Sequence, residues 1–250
     1  MIPNTDDFML VPKNPAKPFL MIRDFGGKEY IHTYIHTYIH TDNLIVKKDA
    51  EILEIGCGAG GILSVFKDAG YKITGMDLGE EYLNYGKEIY GLNLMRGSLS
   101  DLNNDYKADI IIYSHVMEHI LDLDKELETI KKHLNPEGIV YIEVPGIKYI
   151  HSTYDMNLLK YLQNAHTYHF SLNSLNRILT KHGFSLILGD EQIRSIFKLS
   201  DDSQNKPFTN EYSEIISYLK KTEKRKFLNV FAFKKLRWEL KKALLKLSTK

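Results

Sequence analysis

From Ala50 onward the chain alternates between two kinds of pattern. Short apolar runs, AEILEIG, YKITGMDL, LNLMRG, ADIIIYS and GIVYIEV, are separated by helix-length segments, GGILSVFKDAG, GEEYLNYGKEIYG and DLDKELETIKKHLNPEG. The runs are apolar throughout, as strands covered on both faces are. Strands alternating with helices predict a parallel sheet layered between helices. Gly70 and the stretch Asn135-Pro136-Glu137-Gly138 supply helix stops. Farther on, SLNSLNRILTKHGFSLILGD reads as a helix ending at Gly183 and then a strand, with IRSIFKLS as a last strand antiparallel to it. Between Pro145 and His169 the periodicity weakens.

The ends of the chain follow other patterns. Residues 1–25 hold Pro3, Pro12, Pro15 and Pro18 and read as an irregular arm. Tyr30 to Thr41 repeat Tyr-Ile-His-Thr three times. As a helix this repeat stacks Ile31, Ile35 and Ile39; as a strand it puts Tyr and His on one face, Ile and Thr on the other. Gly26-Gly27 before it and Asp42-Asn43 after it favour the helix. Residues 201–206, DDSQNK, form a polar linker, and two helix-like segments follow at 208–224 and 227–248. The organisation expected is an arm and helix covering the site (1–47), an α/β domain (48–200) and a basic helical extension (201–250).

Composition narrows the class. Apolar residues make up 43% and charged residues 26% of 250, ordinary for a globular chain with a full core. One cysteine excludes an internal disulfide, and MIPNTDDFML has no basic residue ahead of an apolar run, unlike a secretion signal. No apolar stretch is long enough to span a bilayer, so a cytoplasmic protein is expected. The net charge of +1 conceals an asymmetry: residues 220–250 carry twelve Lys or Arg against two Glu, a net +10, leaving −9 for the rest. The segment KRKFLNVFAFKKLRWELKKALLKL is amphipathic as a helix. It suits packing against the acidic body, or a peripheral position on the inner face of an anionic membrane. Nucleic acid ranks last, because base-stacking aromatics are not interleaved with the cations.

The candidate chemistry begins at ILEIGCGAGG. Gly56, Gly58 and Gly61 satisfy G-x-G-x-x-G between a predicted strand and a predicted helix, and Asp77 ends the next strand, where an acid accepts ribose hydroxyls. Together they imply an adenosine-like ligand across the carboxyl ends of the strands. A pyrophosphate wants a helix N-terminus free of negative charge. Glu54 stands two residues before the first glycine. An acid there suits a ligand with cationic groups.

LEIGCGAGG with MDL resembles the first two motifs of the class I S-adenosylmethionine-dependent methyltransferases. IIIYSHVMEHILDLDKELETIKKHLNPEGIVYIEVPG resembles the later strand–helix–strand part of that family, and HTYHFSLNSLNRILTKHGF the segment that follows in the branch acting on small molecules and surface-glycan precursors. The resemblance spans roughly residues 48–190. It implies a doubly wound, Rossmann-like seven-stranded sheet of order 3-2-1-4-5-7-6 with the last strand antiparallel. It also implies S-adenosylmethionine as cofactor and a carbohydrate-type small-molecule acceptor. Carried over by position, Glu54, Gly56, Cys57, Gly58 and Gly60 would line the methionine part, Asp77 the ribose, Leu78, Ser98 and Leu99 the adenine, and Ser114 and His115 the pocket floor. Cys57 has no adjacent base and is expected to pack rather than react.

Methyl transfer to a hydroxyl needs alignment and a proton acceptor. SHVMEH places His115, Glu118 and His119 past a strand, and AHTYHF adds His166 and His169. His119 or His169 is expected as base, with His166 positioning the acceptor and no metal. The competing pattern is a divalent-metal site from His115, Glu118, His119 and a distal His. This resembles small-RNA 2′-O-methyltransferases and quinone-pathway O-methyltransferases, which carry an acid where His115 stands. His32, His36 and His40 share a helical face but read as a solvated one. Two further readings stay in play, a non-catalytic S-adenosylmethionine-binding subunit and a dehydrogenase.

Overall fold

A computed structural model of the protein describes residues 49–154, 157–200 and 208–231. The proline-rich arm, the Tyr-Ile-His-Thr repeat with its histidines, the 201–206 linker and the sequence beyond Phe231 lie outside the described residues.

Seven strands form one sheet: β1 (Glu51–Ile55), β2 (Lys72–Asp77), β3 (Leu94–Arg96), β4 (Ala108–Ser114), β5 (Leu134–Glu143), β6 (Phe184–Gly189) and β7 (Arg194–Leu199). Their order is β3-β2-β1-β4-β5-β7-β6, as the resemblance implied. β1 pairs parallel with β2, and β2 with β3. β7 runs antiparallel to both its neighbours, β5 and β6. The described residues up to Ile112, with Lys132–Gly138, make one compact unit; Tyr113–Lys131 and the residues from Ile139 onward make a second.

In the first unit, α1 (Gly61–Asp68) follows β1 and α2 (Glu80–Tyr90) follows β2. Glu80 and Glu81 occupy the first turn of α2, where the helix dipole favours acids, and Gly91 closes it in the left-handed conformation at φ +60°. Ile52, Leu53 and Leu63 are wholly buried. The stretch Asn135–Gly138, read above as a helix stop, is the start of β5, and α3 (Leu123–His133) ends before it. Asn135 donates to Asp109 at 2.7 Å, which ties these residues to β4 instead of leaving them as a turn.

In the second unit, α6 (Leu172–Lys181) begins at Ser171, whose hydroxyl accepts from the Ser174 amide while the Ser174 hydroxyl caps Ser171 in return. Leu175 and Leu179 give it an apolar side, and Gly183 at φ +80° turns the chain into β6. The weakly patterned stretch holds two single-turn helices, α4 (Ile150–Thr153) and α5 (Leu158–Tyr161), and a parallel bridge from Gly146 to Phe170. The last helix, α7 (Tyr212–Phe231), runs through the break expected near 225. Lys224-Arg225-Lys226 contains no helix breaker, so nothing local interrupts it.

Candidate functional site

The glycine-rich loop leaves β1 and is stapled to β2. The amides of Gly56 and Cys57 both donate to the Met76 carbonyl, at 2.7 and 3.0 Å, and the Gly60 amide to the Cys57 carbonyl at 2.8 Å. Gly58 donates to Asp77 Oδ2 at 2.8 Å, and Gly79 to Asp77 Oδ1 at 2.7 Å. Four loop amides are therefore spent inside the protein. A phosphate-binding loop turns such amides outward to its anion.

Gly58 and Gly60 both take the left-handed conformation, at φ +52° and +72°, for different reasons. A Cβ on Gly58 would meet nothing within 4 Å, whereas one on Gly60 would sit 2.4 Å from Leu92 Cδ1. From the other side, a Cβ on Gly86 of α2 would fall 2.4 Å from the Ala59 carbonyl oxygen. Helix backbone packs directly on the loop there.

Glu54 is 2% exposed. It accepts a hydrogen bond from the Leu63 backbone in the first turn of α1, while its Oε2 is buried with no hydrogen-bond partner. Burial, and then the Asp77 charge, push its carboxyl well above the usual carboxylate range. A buried acid with one oxygen unmatched fits a cationic group and repels a phosphate. The Cys57 thiol is buried and pushed upward, first by burial and then by Glu54 and Asp77, so it is a poor nucleophile. Leu78 is 72% exposed. Ser98 is engaged locally: its amide and hydroxyl both donate to Asp101 Oδ2 at 2.8 Å, capping the short 3-10 helix Leu99–Asp101. Leu99 is wholly buried in the core.

In the second unit, β4 ends at Ser114 and His115 turns the chain at φ +57°. A residue with a Cβ is strained there. The turn is held by the His115 amide, which donates to the Glu143 carbonyl at 2.8 Å. The single 3-10 turn Met117–His119 then presents Glu118, which is 2% exposed. His115 Nδ1 lies 3.6 Å and His119 Nε2 3.9 Å from Glu118 Oε1. Neither carboxylate oxygen of Glu118 has a hydrogen bond among the described residues. Burial lowers the His115 pKa, but Glu118 and Glu143 outweigh it and raise the group overall.

The irregular stretch closes on this turn. The amides of Thr167 and Tyr168 donate to the Glu118 carbonyl at 2.8 and 3.2 Å. His119 Nδ1 lies 2.8 Å from the Ala165 carbonyl, which can only accept. Nδ1 therefore carries the proton, and Nε2 of the neutral ring keeps its lone pair. The rings of His119 and His166 meet edge to face at 4.9 Å, those of His166 and His169 at 5.8 Å, and Tyr161 backs His169 at 4.8 Å. Burial lowers the pKa of both His166 and His169, so both are neutral near pH 7. Ligand atoms of Glu118, His119 and His166 lie within 4.8 Å of one another, a spacing a divalent cation could draw together.

The structure thus gathers His115, His119, His166 and His169 around Glu118. Sequence reasoning named the histidines but missed Tyr161, the Ala165 carbonyl and Glu143. Of these only Glu143 left a signal, an acid inside the otherwise apolar run GIVYIEV.

The model of a family described as "Methyltransferase domain" matches residues 30–188. Among curated proteins, the ubiquinone biosynthesis O-methyltransferase of Rickettsia bellii is 28% identical over 99 residues, covering 38% of this chain and 41% of that one. The protein of the same name from Rickettsia conorii is 28% identical over 97 residues, covering 37% and 34%. The matched part therefore spans less than half the length of these relatives. Among solved structures, the plantazolicin methyltransferase BpumL, in complex with a triazolic desmethylPZN analogue and SAH, has 18% identity and a TM-score of 0.57, with 81% of each chain covered. A SAM-dependent methyltransferase from Archaeoglobus fulgidus has 20% identity and a TM-score of 0.50, covering 81% and 88%. At these identities the likeness shows the fold.

Proposed function

Because the chain belongs to the methyltransferase-domain family, we propose that it transfers a methyl group from S-adenosylmethionine to a hydroxyl of a small acceptor. The observation that carries this reading is Glu54, a buried acid with an unmatched oxygen beside a loop with four amides already spent. That chemistry holds a sulfonium and an ammonium and disfavours the pyrophosphate of a dehydrogenase cofactor. Glu54 and the loop from Gly56 to Gly60 would hold the methionine part, and Asp77, with lone pairs left on both oxygens, the ribose. The bound cofactor supplies an activated methyl carbon; the chain's own residues then have to orient the acceptor oxygen and take its proton.

His119 is the candidate for that proton. Its tautomer is set by the Ala165 carbonyl, leaving Nε2 as the basic atom. Neutral His166 packs against it and would help orient the acceptor. The names of the relatives favour a ubiquinone-type precursor over the carbohydrate expected from the sequence.

A second reading rests on the buried Glu118, whose carboxylate has two histidines within 4 Å. Glu118, His119 and His166 fit a divalent cation, which when bound would acidify an acceptor hydroxyl. One assay separates the two: release of S-adenosylhomocysteine over a panel of quinol, catechol and sugar acceptors, with and without chelator. Chelator-insensitive turnover lost in His119→Ala supports the base. Turnover abolished by chelator and restored by added cation supports the metal. Binding of NAD in place of S-adenosylhomocysteine would sink both.

A further inference from the structure

The last helix carries four exposed cations, and it packs beside exposed leucines. On its inner side, α7 is fastened by polar contacts. Glu211, just before it, pairs with Lys148 and accepts from the Ser171 hydroxyl at 2.6 Å; Glu214 pairs with Lys148 at 3.1 Å; and the Tyr218 hydroxyl meets the His151 amide and Nδ1 at 3.3 and 3.1 Å. Thr222 is buried. Toward its C-terminal half, Lys220, Lys221, Lys224 and Arg225 are exposed, and none pairs with an acid among the described residues. Lys220 with Lys224, and Lys221 with Arg225, are like charges at i, i+4, which repel one another weakly.

Apolar residues sit against the same helix. α7 packs on α5, where Leu159 is 71% exposed and Leu162, directly after it, 44% exposed; Tyr212 at the start of α7 is 70% exposed. The sequence beyond Phe231 mixes the same residue types, Phe233, Leu236, Trp238 and Leu240 among Lys and Arg. Phosphate-backbone binders pair cations with polar groups. Cations beside large exposed leucines match a bilayer surface, where the charges meet anionic headgroups and the leucines enter the acyl boundary.

We propose that α7, with α5 beside it, is a docking surface for an anionic phospholipid bilayer. Docking here does not depend on the methyl-transfer reading, and its test needs no turnover. The full chain is co-sedimented with vesicles of phosphatidylcholine alone and with about one third phosphatidylglycerol, at low salt and at about 0.5 M salt. Binding is expected only to the phosphatidylglycerol vesicles and is expected to weaken at least about tenfold in high salt, where the Debye length is only a few ångströms. The combined change Lys220→Gln, Lys221→Gln, Lys224→Gln and Arg225→Gln should weaken it by at least about tenfold, at roughly one cation's attraction each. Lys220→Arg with Lys221→Arg and Lys224→Arg should leave it intact. Leu159→Ser with Leu162→Ser should remove the part that resists salt. All these side chains are exposed, and unchanged thermal unfolding serves as the control for the fold. Equal binding to neutral vesicles, wild-type binding by the Gln variant, no binding to either vesicle, or tighter binding to single-stranded RNA than to phosphatidylglycerol would each overturn the proposal.

Discussion

Burial raises the Glu54 carboxyl well above the usual carboxylate range, and that has a consequence in protons. Its usual value is 4.5, and in the folded chain burial and then Asp77 raise it well above that. The unfolded chain therefore loses this proton first as pH rises. The stability that Glu54 contributes is full below 4.5 and declines between 4.5 and the raised folded value. A cationic ligand favours the ionised form, so its binding should strengthen as pH rises through that window and should release protons. Calorimetric titration of S-adenosylmethionine in two buffers of different ionisation enthalpy measures the release. Glu54→Gln should abolish it and weaken binding by at least about tenfold, or 1.4 kcal/mol. Release that persists in the Gln variant would assign the proton to another group.

The loop glycines offer a comparison at the same scale. Gly58→Ala meets open space but must hold φ at +52°, so its cost should be the conformational one, about 1–2 kcal/mol. Gly60→Ala adds a contact at 2.4 Å with Leu92 to a similar φ, and overpacking brings about 1–3 kcal/mol more. Urea unfolding of the two variants should rank them in that order, and the reverse order would mean that the leucine yields freely.

Among the elements, α7 is anchored at its start by Glu211, which pairs with Lys148 and accepts from Ser171. Burial raises the Glu211 pKa, but Lys148, Ser171 and Asn173 together outweigh it, and the group ends below its usual 4.5. Its contribution is present above 4.5 and is lost as pH falls through the depressed folded value. Glu211→Gln should therefore lower stability at neutral pH and change it little in strong acid. Unfolding monitored by helix content at both pH values checks this.

The regular elements were legible because their strands are buried on both sides and their helices end at glycines such as Gly70, Gly91 and Gly183. The start of β5 was misread because Asn135-Pro136-Glu137-Gly138 has turn chemistry, and only the distant Asp109 draws it into the sheet. The candidate site was half legible. The histidines cluster in two short motifs, whereas their grouping around Glu118 depends on backbone bonds from Thr167 and Tyr168 that leave no trace in residue type.

For the molecule as a whole, the antiparallel β7 between β5 and β6 has a consequence for how the chain is made. β6 leaves synthesis before its only sheet neighbour exists. Until β7 arrives, the edge of β5 carrying Val140, Tyr141 and Ile142 stays unpaired, and all three are fully buried in the finished protein. A nascent chain stopped short of Arg194 thus presents an open apolar strand edge, the form of surface that pairs with other chains. Ser195, whose hydroxyl donates to the Ile142 carbonyl at 2.9 Å, is among the residues whose emergence closes it. The hazardous interval of biosynthesis is set by the few residues from Arg194 to Leu199.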